Sequence, residues 1–305
     1  MIADSVDRLG LGTAPLGNLF TSVGDADAEA TVVAAWELGV RLFDTAPQYG
    51  HGLAETRLGR VLRGLPRDDF VLSSKVGRLL RAVSPRPSTI FRDVPDVDPV
   101  FDFSRDGVLR SIEETLVRLG MDRLDIVHVH DPDDHEEAAL ATAFPTLIEL
   151  RDQGVIGRVG CGMNQAEMLG RFVDRVDLDC VLLAGRYSLL DRQGAGLLSQ
   201  CAARGVGVIV GGVFNSGLLA RPEAGATFDY TAAPDPLVEQ ARSLHRVCET
   251  FGVALPAAAM QFVLRHPAVT AVLFGARSAT EVVDDVAYAK VAVPVELWPA
   301  LEAIH

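Results

Sequence analysis

Short apolar, β-branched runs alternate eight times with longer stretches of helical period, and this alternation restricts the fold more than any other feature of the chain. The runs are LGLGTA (9–14), VRLFD (40–44), FVLSSK (70–75), LDIVHVH (124–130), IGRVGCG (156–162), DCVLLA (179–184), GVGVIVG (205–211) and AVTAVLFG (268–275). Between and after them lie helical stretches at 27–38, 53–63, 104–119, 136–153, 165–175, 193–204, 235–251 and 278–288. Strands separated by helices pair in parallel. In SRDGVLRSIEETLVRLG, Val108, Ile112, Leu116 and Leu119 recur at spacings of three and four, so one face is buried. Ser104 suits the N-cap of that helix and Gly120 its stop.

Eight such units in 305 residues predict an α/β fold, a (β/α)8 TIM barrel forming a single domain over 1–305. A doubly wound sheet is the competing fold, but it calls for G-x-G-x-x-G after the first strand, whereas GLGTAPLG leads into a long loop. No linker divides the chain. A long insertion at about 77–103, between the third strand and third helix, stands out, because ordered loops longer than about 15 residues are commonly functional lids.

The charge balance narrows the partners. With 41 acidic against 28 basic residues the net charge is −13, and no run of lysines or arginines occurs, which argues against nucleic acid and anionic membrane. No stretch reaches the roughly 18 apolar residues of a membrane span. The start, MIADSVDRLG, lacks a basic region followed by an apolar core, so a cytoplasmic location is expected. Cys161, Cys180, Cys201 and Cys248 are scattered without C-x-x-C spacing, as suits reduced thiols. The 49% hydrophobic content does not locate an oligomer face.

In a barrel the active site forms at the carboxyl ends of the strands. Asp44 closes the second run, Tyr49 follows five residues on, Lys75 closes the third run and His130 the fourth. Three consecutive strand ends bring these four together. A phenol with an unperturbed pKa of about 10 is a poor base near neutrality, but a nearby ammonium favours its ionised form. Asp44 would hold Lys75 in place, and His130 would donate to a substrate oxygen, a set that moves a proton at a carbonyl or alcohol. His128 and His130 share one side of their strand, while Asp131 is expected to point the other way. With no third ligand at a convincing spacing, no metal is expected, and His128 reads as a core histidine beneath the site.

FDTAPQYGHGLAE, SSKVG and DIVHVHDP together resemble the aldo-keto reductase family over roughly residues 9–288. The resemblance implies an Asp, Tyr, Lys, His tetrad working with a nicotinamide cofactor: Tyr49 as acid/base, Lys75 and Asp44 tuning it, His130 orienting substrate. LGLGTAPLGNLF, LLAGRYSLLDR and GGVFNSGLL are similar to the branch containing D-threo-aldose 1-dehydrogenase and pyridoxal 4-dehydrogenase. That similarity implies oxidation of a cyclic hemiacetal, an aldose such as L-fucose or pyridoxal, to its lactone, with Phe20, Phe101 and Phe103 walling the substrate.

For the cofactor the resemblance points to Gly12, Thr13 and Asp44 at the first two strand ends and to Asn164 for the carboxamide. It departs where the family carries a serine beside that asparagine, a glutamine at Ala184 and a stacking tyrosine at Gly211. Asn215, Ser216, Gly217 and Leu219 are expected near the pyrophosphate. Gly275, Arg277, Ser278 and Asp285 are expected near the adenosine half, where Ser278 can cap a helix whose N-terminus holds an anion. Glu281 stands where NADP-preferring relatives often carry an arginine. A carboxylate about 4 Å from a 2'-phosphate costs roughly 1 kcal/mol in water and roughly 4 at an effective dielectric of 20, so NAD is the expected cofactor and NADP the alternative. Two other activities share these residues: reduction of aldehydes or ketones, and nicotinamide binding by a regulatory protein resembling channel β subunits. The complete tetrad favours the enzyme.

Overall fold

In a computed structural model, which describes residues 5–85 and 88–304, eight parallel strands close into a barrel in chain order. Residues 86 and 87 of the long insertion, the first four residues and His305 lie outside that range. The strands are β1 Leu9–Gly12, β2 Leu42–Asp44, β3 Val71–Val76, β4 Leu124–His130, β5 Ile156–Met163, β6 Cys180–Ala184, β7 Gly207–Gly211 and β8 Val269–Phe274. Closure comes from β1, which pairs with β8 through Leu9↔Val272 and with β2 through Gly12↔Asp44.

The helices are α1 Asp25–Glu37, α2 Leu53–Leu62, α3 Arg105–Leu119, α4 Phe144–Asp152, α5 Ala166–Arg175, α6 Ala195–Arg204, α7 Asp235–Thr250, α8 Leu255–Leu264, α9 Ala279–Lys290 and α10 Leu297–Glu302. Ser104 caps α3 by accepting from the Gly107 amide, and Gly120 ends it at φ 65°. The segment read as one helix at 136–153 is broken by a π turn at Ala139–Ala143. Pro145 follows it, and a proline has no N–H to continue the ladder.

Two layers of core result from strand alternation. Ile126, Cys180, Leu182, Ile209, Ala271 and Leu273 fill the barrel interior. Their neighbours, among them Phe43, Leu72, Val127, Val129, Val181 and Leu183, face the helices and are fully buried. Each large side chain so buried contributes about 1.5–3 kcal/mol. The same alternation decides the site. Since Phe43, Val127 and Val129 face outward, Asp44, His128 and His130 face in, and Ser73 and Lys75 do likewise from β3.

The insertion at 77–103 is built on an antiparallel hairpin, Arg78–Arg81 against Asp98–Phe101. It is tied to the β1–α1 loop, where the Phe20 amide donates to Ile90 O at 3.0 Å and the Arg92 amide to Asn18 O at 3.0 Å. Buried Arg57 holds that loop, donating to Leu16 O, Val23 O and Asn18 Oδ1. No single helix among the described residues is long and apolar enough to cross a membrane. The four cysteines are free and buried.

Candidate active site

At the carboxyl end of the barrel Lys75 Nζ donates to Asp44 Oδ2 at 2.6 Å and to Thr45 O at 2.9 Å, while Ser73 Oγ donates to Asp44 Oδ1 at 2.8 Å. The pair is almost dry, its side chains 2% and 3% exposed. Burying two charges is offset only when their remaining hydrogen-bonding capacity is met, and here Ser73 and Thr45 meet much of it. Thr13 fixes the backbone beneath: its amide and its hydroxyl both donate to Asp44 O.

Tyr49 sits in the turn between β2 and α2, and its position depends on two glycines. A Cβ on Gly17 would lie 2.6 Å from Gly50 N and from Tyr49 C, and one on Gly50 would lie 2.4 Å from Gly17 O. The Lys75 ammonium lies 4.7 Å from the centroid of the Tyr49 ring. His130 meets the same ring edge-on, with centroids 6.0 Å apart. The structure thus brings together all four residues singled out in the sequence.

The electrostatics correct one expectation. Burial, followed by the Asp44 carboxylate, raises the Tyr49 phenol well above its ordinary value of 10, and Arg78 is the cation that opposes them. Lys75 was expected to do so, but its charge is matched by Asp44 at contact distance. His130 is lowered well below 6.5 by burial and then by Arg78 and Lys75, so its imidazole is neutral near pH 7. His128, fully buried below it, is lowered to about 3 by burial and Lys75, and neither ring nitrogen has a hydrogen-bond partner among the described residues. Among those residues no group of three His, Cys, Asp or Glu is placed to hold a metal.

Asp131 does not point away as expected. The strand ends at His130, Asp131 takes φ 41°, and this left-handed turn brings Oδ2 to 3.4 Å from His130 Nε2. Arg78 Nη2 donates to the same oxygen at 3.1 Å. Extending strand alternation one residue past the strand end hid this neighbour of the tetrad.

Of the three phenylalanines expected to wall the substrate, Phe20 faces Tyr230 at 6.2 Å, and Phe101, 46% exposed, covers the Arg78 guanidinium at 4.6 Å. Phe103 is withdrawn into the core beneath Phe101, where a Cβ on Gly77 would meet its ring at 2.3 Å. Sequence reasoning missed Phe91, 6.5 Å from the Tyr49 ring, and His51, which ties the insertion down through Val97 O at 2.6 Å. It also missed Tyr230, carried by a small hairpin of Thr227–Phe228 with Thr231–Ala232. Arg186 pins that hairpin, donating to Asp229 at 2.7 Å.

The opposite rim carries small residues. β6 and β7 close with Ala184 and Gly211, and a Cβ on Gly211 would meet only Leu182 Cδ2, at 3.7 Å. Asn164, just past β5, is partly exposed, and its side chain makes no hydrogen bond to the described residues. Asn215 is turned inward, donating to Gly185 O and accepting from Ser188, and Leu219 is core, so these two support the loop from within. Ser216 and Gly217 are half-buried with φ 57° and 103°, and Ser216 Oγ accepts from the Tyr230 amide at 3.1 Å. Gly12 and Gly275 edge the same rim, a Cβ on Gly275 falling 2.9 Å from Pro15 Cγ. Ser278 caps α9 by accepting from the Glu281 amide, and Glu281 itself accepts from the Arg277 amide at 2.7 Å and from Arg277 Nη2 at 3.0 Å. Asp285 is buried in α9 and pushed up to about 8 by burial, then by Glu281 and Asp284.

The sequence pattern of the aldo/keto reductase family matches residues 8–305. The chain belongs to that family. It is therefore an NAD(P)-dependent oxidoreductase of the aldo/keto reductase type. It is 41% identical to a D-threo-aldose 1-dehydrogenase of Pseudomonas sp over 97% of this chain and 93% of that one. It is 40% identical to a pyridoxal 4-dehydrogenase of Microbacterium luteolum over 98% and 94%. Among solved structures, an aldo-keto reductase from Bacillus halodurans in its holo form superposes with a TM-score of 0.78 at 24% identity, covering 97% of this chain and 91% of that one, a likeness of fold. The small residues of the opposite rim do not obstruct an aldo/keto reductase's cofactor: Gly211 carries no Cβ, and the Asn164 amide makes no hydrogen bond to the described residues.

Proposed function

We propose that this enzyme oxidises a cyclic hemiacetal, an aldose or pyridoxal, to its lactone. The observation that carries the reading is the joining of Asp44, Lys75, Tyr49 and His130 in one buried cluster at three consecutive strand ends. The names of two relatives at about 40% identity over nearly their whole length support the choice of substrate.

In this reading Asn164 would hold the nicotinamide carboxamide, Ser216 and Gly217 would face the pyrophosphate, and Arg277, Ser278, Glu281 and Asp285 would face the adenosine. Oxidised NAD, when bound, would supply the acceptor for the anomeric hydride. Neutral His130 donates its N–H to the hemiacetal hydroxyl oxygen and fixes its orientation. Tyr49, as the phenolate left once its own proton has passed to solvent, takes the hydroxyl proton as the carbonyl of the lactone forms. Lys75, held by Asp44, keeps a cation on the ring face and prevents the phenol from being surrounded by negative charge alone. Because the resting phenol holds its proton tightly, reduction of an aldehyde or ketone uses the same residues in reverse, with Tyr49 as the acid.

NAD is the proposed cofactor because Glu281, at the position where NADP-preferring relatives often carry an arginine, would repel a 2'-phosphate and also neutralises Arg277. The test is NADH absorbance on adding aldoses or pyridoxal to the NAD-loaded protein, together with its loss in Tyr49→Phe.

A further inference from the structure

We infer that Asp131, clamped by Arg78, selects hydroxylated hemiacetals by accepting a hydrogen bond from the hydroxyl next to the reacting carbon. The inference rests on the hemiacetal reading above and narrows it to polyhydroxylated rings.

Asp131 stands beside the acid/base machinery without belonging to it. Oδ2 is engaged by Arg78 Nη2 at 3.1 Å and lies 3.4 Å from His130 Nε2. Since His130 is neutral, the second contact is no ion pair. Oδ1 takes no hydrogen bond from the described residues, and the side chain is 33% exposed at the mouth of the site. It is a fixed acceptor with one oxygen to spare.

Arg78 fixes it. Arg78 is 8% exposed, its guanidinium lies under the Phe101 ring at 4.6 Å, and its backbone carbonyl accepts from Ser111 Oγ. Its positive charge opposes the burial that raises the Asp131 carboxyl. An arginine held this firmly orients a carboxylate with little loss of freedom when substrate binds.

The distances suit a ring with adjacent oxygens. His130 Nε2 is the donor to the reacting oxygen, and the Asp131 carboxylate is little more than a hydrogen-bond length from that nitrogen. Vicinal oxygens on a sugar ring are separated by a similar span, so one would meet His130 while its neighbour donates to Asp131. A flat aromatic or unsubstituted aldehyde has nothing to offer there and leaves Oδ1 of a partly buried carboxylate without a donor, which is how a site built for a hydroxyl disfavours the analogue lacking it.

The experiment compares two substrates in the NAD-loaded enzyme: a pyranose aldose, and the six-membered hemiacetal whose only hydroxyl is the anomeric one. Asp131→Ala is expected to lower kcat/KM for the aldose about 100-fold more than for the unsubstituted hemiacetal, the range of a lost charge-assisted hydrogen bond, any change in Tyr49 and His130 being common to both. Asp131→Asn, which keeps the shape, should show a smaller difference between the two substrates. Equal losses on both substrates, or none on the aldose, would overturn the inference while leaving the hemiacetal reading intact. Failure of the wild type to oxidise either compound would overturn both.

Discussion

Lys75→Met tests the most heavily buried part of the site. Lys75 Nζ and Asp44 Oδ2 are 2.6 Å apart at 2–3% exposure. At an effective dielectric of 20, charges that close attract by about 6 kcal/mol, but desolvation consumes much of it. Removing one partner strands a carboxylate that retains only Ser73, and loss of one member of such a buried pair typically costs about 3–5 kcal/mol. For a chain of 305 residues, unfolding entropy near 2 cal/mol/K per residue converts this to a fall in Tm of about 5–8 °C. Circular dichroism melts of the ligand-free protein measure it. The double variant Asp44→Asn with Lys75→Met removes the stranded charge and should recover at least half of the loss, yet remain without turnover. A single variant within about 1 kcal/mol of wild type, or a double variant no more stable than Lys75→Met, would refute the view that a desolvated ion pair underlies the site.

Asp285 is raised from 3.8 to about 8, so the folded protein holds a proton that the unfolded chain releases. Its penalty is absent below pH 4, grows as pH rises to about 8 and is constant above, so Asp285→Asn should raise Tm at pH 9 and leave it unchanged near pH 4. A variant no more stable at pH 9 would remove the buried carboxyl from the account. Glu281→Gln frees Arg277 from its partner and removes a negative charge from the rim, so the ratio of kcat/KM for NADP over NAD should rise by about tenfold or more. An unchanged ratio would place the 2'-hydroxyl elsewhere.

Much of the barrel was legible because its strands are short apolar runs punctuated by glycine and charge, and the helices between them carry polar residues among the apolar ones. α8 was missed for the opposite reason: LPAAAMQFVL is buried nearly all round, and a helix without a polar face shows no 3.6-residue stripe. The tetrad was legible because period-two alternation holds up to the last strand residue, which aims Asp44, Lys75 and His130 inward together. It fails one residue later, where a single positive φ returns Asp131 to the site. Tyr230 was illegible because a two-residue hairpin strand leaves no pattern, and Phe103 was misplaced because an aromatic in a loop looks the same from the sequence whether it faces ligand or core. The charge state of Tyr49 depends on burial and on the sum of Asp44, Asp131, Tyr230 and Arg78, none of which adjoins it in the chain.

The central claim is that Tyr49 transfers the proton. Steady-state NADH formation by Tyr49→Phe, with saturating NAD and an aldose the wild type oxidises, tests it most directly, alongside NAD affinity by fluorescence titration. The expected result is a loss of turnover of about a thousandfold with NAD affinity unchanged. Turnover within tenfold of wild type, with NAD bound equally well, would contradict it.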